Sequence, residues 1–271
     1  MVDCIKGSTL ACYVLTLEPS GGQRYESSRQ QLDRFPFCST FVEGIRVQAD
    51  ELSSPYSSWL NRIWMKRAMI PGEISVYLGH RKIWRRFLDE GQEFALIMED
   101  DFYIPDDSLF LQAIEDAVSV SSHWDIVKLF DFRPKNPIQR WRVNRTDFVM
   151  YKYPPAGGVA YLIRVAAAER LLQQRFIYRP IDEDWSHPWE NNLRILSVAS
   201  SPVSEIATAL GGSLLETERR NMKADDRNWL RARYGNILSF QKNIRSVLWN
   251  RKTANSLLPS CYKTSRSGPT F

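Results

Sequence analysis

The chain reads as an α/β protein: a mostly parallel, Rossmann-like sheet flanked by helices, followed by a basic, mainly helical C-terminal extension. Three observations predict this. Short apolar runs of strand length alternate with stretches of helix length, the pattern of strand–helix–strand units. One such run, Phe94-Ala95-Leu96-Ile97, passes directly into Met98-Glu99-Asp100-Asp101, so a buried strand delivers three carboxylates to its C-terminal end. The charge is also uneven: residues 215–271 hold 12 Lys/Arg and 4 Asp/Glu, a balance of +8, whereas the whole chain carries +5, leaving −3 for the remainder.

The elements follow in order. Residues 11–17 form a first buried strand, broken by Pro19 to Gly22, and residues 24–32 suit a polar helix. Residues 41–47 suit a second strand. Gly72-Glu73 opens an amphipathic helix whose Ile74, Tyr77, Leu78, Trp84 and Leu88 fall near one face, with Arg81, Lys82, Arg85 and Arg86 mostly elsewhere. The acidic strand comes next, then a helix over 109–120 and a strand over 124–130. Residues 133–147, rich in Pro and polar side chains, read as a surface loop. Residues 154–158 are a sharp turn into a strand at 159–163, a helix at 165–173, an acidic loop at 179–189 and a last strand at 194–199. Beyond Leu215, apolar Leu230, Tyr234, Ile237, Ile244 and Leu248 recur at helical spacing among basic residues. The expected division is a catalytic domain over 1–214 and the basic extension over 215–271.

Composition sets bounds. A chain of 271 residues and 31.5 kDa, with 44% hydrophobic and 25% charged residues, can bury a sizeable core. It has no apolar stretch of membrane-spanning length and no signal-peptide pattern, so a cytoplasmic protein is expected. Cys4, Cys12, Cys38 and Cys261 are scattered, which points to thiols rather than to a disulfide framework or a zinc site. The basic extension suits an anionic membrane surface, which would hold the protein peripherally on the inner face; no nucleic-acid-binding motif is present and no nucleic acid partner is expected.

Two acidic clusters carry the chemistry. In open α/β sheets, ligands bind outside the C-terminal ends of the strands, where Glu99, Asp100 and Asp101 fall. Carboxylates crowded together repel, and a hard divalent cation, Mg2+ or Mn2+, turns that cost into affinity. The plain alternative is a solvated acidic turn. The second cluster, Asp182-Glu183-Asp184 with His187, sits between a helix and a strand, and one of only 3 His in the chain lies there. Such a pair of clusters suits a metal-held diphosphate at one and a base at the other. It also suits a metal-dependent phosphoester hydrolase, or a glycan-binding domain without activity.

Five segments in order then resemble glycosyltransferase family 25, the lipooligosaccharide-biosynthesis family that includes relatives of the collagen galactosyltransferases. They are Tyr13 to Leu17 with Arg24; Gly72 to His80 with Ile83-Trp84; Ala95 to Asp101; Gly157 to Ile163 with Ala168 to Leu172; and Pro180 to Asp184. The resemblance covers about residues 11–205, with Thr16 and Gly79 departing from the usual Asn and Ser. It implies a GT-A-like fold and inverting transfer of a sugar, galactose above all, from a UDP-sugar to a glycan or lipooligosaccharide acceptor. It further implies that Glu99, Asp101 and His187 hold the metal, and that Leu15, Thr16, Arg24, Glu73, His80 and Asp100 bind the donor. Asp182 is the first candidate for the general base and Asp184 the second.

Overall fold

The computed structural model describes residues 4–5, 8–47, 55–134, 137–210, 212, 229–257 and 262. In chain order these form β1 (Cys4–Ile5), β2 (Ser8–Thr16), α1 (Gln23–Leu32), β3 (Ser39–Glu43), α2 (Ser58–Trp64), α3 (Pro71–Glu90), β4 (Phe94–Glu99), β5 (Phe102–Tyr103), α4 (Asp107–Ser119) and β6 (Ile126–Lys128). Then follow β7 (Pro137–Val143), β8 (Thr146–Tyr151), β9 (Ala160–Arg164), α5 (Val165–Leu172), α6 (Ile181–Trp185), β10 (Ile195–Val198), β11 (Ser204–Glu205) and α7 (Trp229–Ser256).

The main sheet has nine strands in the order β1-β2-β4-β9-β6-β10-β8-β7, with β3 also on β2, while β5 and β11 pair separately. β2 pairs in parallel with β3 and β4, and β6 with β10; β9 runs antiparallel between β4 and β6. Following these pairings across the sheet, β2, β3, β4, β6, β7 and β10 run one way and β1, β8 and β9 the other. The α/β class therefore holds, with helices on both faces. β2 sends Leu10, Cys12 and Val14 into one core with Phe94, Leu96 and Met98, and Ala11, Tyr13 and Leu15 into the other with Ala95 and Ile97. Burial on both faces explains why these strands read as continuous apolar runs instead of alternating ones.

Local chemistry sets the boundaries. α3 starts at Pro71, whose missing N–H costs nothing in a first turn, and the Glu73 carboxylate accepts the Ile70 N–H at 3.2 Å. Asp106 caps α4 by accepting from the N–H groups of Ser108 at 2.9 Å and Leu109 at 3.0 Å, so that helix begins two residues before the apolar pattern does.

One expectation is corrected. Residues 133–147 are not simply a surface loop: β7 and β8 form an antiparallel hairpin from Pro137 onward. Trp141 and Val143 face the core while Arg140 and Arg142 point out. β7 is the last strand of the sheet path, where Pro and charge are tolerated and mask the strand signal. The turn at Asn144, with φ 48°, is clamped by buried Asp116, which accepts from Asn144 Nδ2 at 2.7 Å and from the N–H groups of Arg145 at 3.3 Å and Thr146 at 3.2 Å.

The boundary expected at 214/215, and residue Leu215 itself, lie outside the described residues. Within them, α7 packs on the body: Asn250 Nδ2 donates to the Tyr151 carbonyl at 2.9 Å, Trp249 Nε1 to that of Leu193 at 3.0 Å, and Lys242 pairs with Glu183 at 2.7 Å. None of the described helices is long and apolar enough to cross a membrane.

Candidate functional site

Parallel pairing of β2 with β4 aligns Leu15 with Glu99 and brings Thr16 beside the acidic triplet that follows. A cleft of about 420 Å3 opens there, lined by Leu15, Thr16, Leu17, Glu18, Arg24, Gly44, Arg46, Val47, Gly72, Ser75, Val76, Glu99, Asp100 and Asp101. Asp100 is fully engaged: Thr16 Oγ1 donates to it at 2.6 Å and Arg24 Nη1 at 2.9 Å. The same guanidinium lies 3.5 Å from Asp101 and donates to the Gly212 carbonyl at 2.8 Å. Burial works against the Arg24 charge, but the bond to Asp100 and the charges of Asp100 and Asp101 outweigh it and raise its pKa.

Asp101 differs. Burial pushes its carboxyl up to about 7, with the charges of Glu99 and Glu205 adding to the effect and Arg24 opposing it. Its Oδ1 is buried and has no hydrogen-bond partner among the described residues. Glu99 stays partly open to the cleft, and its Oε1 faces His80 Nε2 at 3.5 Å. His80 is wholly buried, with Nδ1 2.8 Å from the Tyr161 hydroxyl, which in turn accepts from Trp84 Nε1 at 3.1 Å. With Tyr161 donating to Nδ1, the ring carries its N–H on Nε2, aimed at Glu99. Among the described residues no three His, Cys, Asp or Glu side chains converge as a ready-made metal site.

A second cleft, about 870 Å3, lies between α6, the residues after α2, and α7; it is lined in part by Trp64, Lys66, Arg67, Asp182, Glu183, His187, Trp189, Lys242 and Arg245. Gly158 lies where the β4 terminus meets α6. A Cβ there would lie 3.0 Å from Glu99 Oε1, 3.7 Å from Trp185 and 3.9 Å from Ile181, so the bare backbone lets the β4 terminus and α6 approach each other.

The fold thus brings Leu15, Thr16, Arg24, Glu99, Asp100 and Asp101 together. It places the other expected site residues elsewhere. Glu73 is 3% exposed and held by Arg67 Nη1 at 2.8 Å and by the start of α3, so it is structural and lines neither cleft. His80 does not line the cleft but stands behind Glu99. Asp184 is 1% exposed and locked to Arg179 and to the Tyr77 hydroxyl, which leaves no route for it to reach a substrate proton. His187 lies in the second cleft, with Nδ1 2.8 Å from the Glu183 carbonyl and its ring against Trp189; it does not join Glu99 and Asp101. Its pKa is lowered by burial and by the charge of Arg179. Asp182 remains half-buried in the second cleft.

Sequence reasoning missed a buried pair at the end of β6. Lys128, with no exposed surface, lies 2.8 Å from Asp131 and donates to the Ala156 carbonyl at 3.2 Å. Its pKa is lowered by burial, against the opposing charges of Asp131 and Asp182. The available signal was a lysine inside an otherwise apolar strand.

A "Glycosyltransferase 25 family member" of Aedes aegypti is 30% identical over 124 residues, covering 44% of this chain and 20% of that protein. A "Probable inactive glycosyltransferase 25 family member 3" of Rattus norvegicus is 25% identical over 121 residues, covering 43% and 21%. The chain thus matches about a fifth of the length of these curated relatives. Among solved structures, a mannose-1-phosphate geranyltransferase from Thermus thermophilus aligns at a TM-score of 0.35 and 12% identity over 70% of this chain and 73% of that one, a likeness too loose to inform function. The model of glycosyltransferase family 25 (LPS biosynthesis protein) matches residues 11–185, a span that contains Glu99, Asp100, Asp101 and Asp182, and the chain belongs to that family.

Proposed function

We propose that the chain is an inverting, metal-dependent glycosyltransferase that moves galactose from UDP-galactose to a glycan acceptor of the lipooligosaccharide type. One observation carries this reading: Thr16, Arg24, Glu99, Asp100 and Asp101 converge on a cleft of about 420 Å3, while Asp182 lines a second cleft from α6, the helix that approaches Glu99 at Gly158. The sugar and the acceptor rest on family resemblance; the division into a donor cleft and an acceptor cleft rests on the geometry.

Mg2+ and Mn2+ are often held by one or two carboxylates with substrate phosphates completing the shell. Glu99 and Asp101 fit that role, because Asp101 Oδ1 is buried without a partner among the described residues while Asp100 is already taken up by Thr16 and Arg24. Bound there, the cation would neutralise a leaving diphosphate. The chain's own residues do the rest. Arg24, anchored to Asp100 and Gly212, puts a fixed positive charge at the mouth of the donor cleft. His80 holds the Glu99 carboxylate from behind. Asp182 accepts the proton of the acceptor hydroxyl as that oxygen attacks the sugar from the face opposite the diphosphate.

A non-catalytic, glycan-binding role is the second reading, favoured by the name of the rat relative. Retention of Glu99, Asp101 and Asp182 speaks against it. The test is UDP release from a panel of UDP-sugars with glycan acceptors. Asp182→Asn is expected to lower kcat by about 10²–10⁴-fold, the usual worth of a general base, with UDP affinity nearly unchanged. Wild-type turnover by the variant removes Asp182 from the mechanism, and binding of glycans without any turnover supports the second reading.

A further inference from the structure

α7 meets the body through Ala254 and through polar side chains. Where it meets the body it buries polar side chains: Ser246 is 1% and Asn250 2% exposed, and both hydrogen-bond to the hairpin side, Ser246 Oγ donating to the Lys152 carbonyl at 3.0 Å. Its outward side exposes five large apolar side chains among polar and basic ones. Tyr234, Ile237, Phe240, Ile244 and Leu248 are 46%, 56%, 66%, 44% and 63% exposed. At about 3.6 residues per turn these five fall within an arc of roughly 120°, so they form one continuous stripe along the helix. A contiguous apolar stripe of this kind on a soluble surface marks an interaction site.

Charge identifies the partner. Over its 28 residues α7 carries Arg231, Arg233, Lys242, Arg245, Arg251 and Lys252 and no acidic residue at all. Arg245, Arg251 and Lys252 are exposed and border the stripe. Apolar residues flanked by Arg and Lys, on a helix that does not span a bilayer, are what binding flat in a membrane interface requires: the stripe enters the acyl boundary and the cations meet anionic headgroups. A second copy of the same face suits the stripe less well, since it would bring the bordering cations of two helices together. We infer that the outward face of α7 is a docking surface for an anionic lipid membrane. This holds whether or not the chain transfers a sugar, because none of the five apolar residues lines either cleft, and of the bordering cations only Arg245 does.

The test is co-sedimentation of the full chain with vesicles of phosphatidylcholine alone and with vesicles containing phosphatidylglycerol, at low and high salt. Binding to the anionic vesicles is expected, at least about tenfold tighter than to neutral ones and weakened by salt, since exposed charges are screened. The double variant Ile237→Asp, Phe240→Asp is expected to bind at least about tenfold more weakly; Leu248→Asp, at the other end of the stripe, provides an independent variant if the first does not fold, with thermal unfolding as the check. Absence of vesicle binding at low salt, equal binding to neutral vesicles, or unchanged binding by a folded variant overturns the inference. So does a wild-type dimer in sedimentation velocity that a stripe variant dissolves, since a second copy would then be the occupant.

Discussion

Asp101 holds a carboxylate in a place that disfavours its charge: 9% exposed, with one oxygen unpartnered among the described residues and Glu99, Glu205 and Asp100 nearby. Its pKa is raised from 3.8 to about 7, so the native state binds this proton more tightly than the unfolded chain does. The sign follows: the penalty is absent below the unfolded value, grows as pH rises between the two values, and is complete above about 7. Asp101→Asn should therefore be more stable than the wild type at pH 8, by roughly 1–3 kcal/mol, and differ little at about pH 4. Thermal unfolding at the two pH values checks this, and a variant less stable at the higher pH would contradict it. Asp184 represents the opposite arrangement, a carboxylate already paired with Arg179 and Tyr77. These two acids could not be told apart from the sequence. Both sit in acidic triplets, and only the burial and partners supplied by distant segments separate a strained carboxylate from a satisfied one.

At the scale of elements, what was legible followed periodicity and punctuation. β4 and its acids, and α3 with its apolar face, stood out because a uniform run and a 3.6-residue repeat are properties of contiguous sequence. The β7–β8 hairpin was not legible, because an edge strand with Pro137, Arg140 and Arg142 looks like a polar loop, and its turn is set by Asp116 on another element. Asp116→Ala should leave the N–H groups of Arg145 and Thr146 and the Asn144 amide without their acceptor, destabilising the fold by about 2–4 kcal/mol in urea titration. None of these residues lines a cleft, so UDP affinity should be unchanged. A loss below about 0.5 kcal/mol would mean that the hairpin holds itself together without the clamp.

At the scale of the whole molecule, the topology explains why two acidic clusters far apart in sequence lie on elements that meet. β2 and β4 place Thr16 and residues 99–101 at one sheet edge, and the approach allowed by Gly158 brings α6 against it. The grouping of Leu15 and Thr16 with residues 99–101 in the first cleft was legible in the sequence because these residues lie at the ends of recognisable strands. The second cleft was not, because α7 and the residues following α2 form its walls and no local pattern pairs them. The central claim is that the first cleft holds a nucleotide diphosphate through a cation shared with Glu99 and Asp101. With Glu99 and Asp101 as its protein ligands, cation and diphosphate should bind together rather than independently. The most direct measurement is calorimetric titration of UDP into the chain with Mn2+ and with chelator. UDP should bind at least about tenfold tighter with Mn2+, and Mn2+ alone should bind weakly. Equal UDP affinity in the two conditions would contradict the account.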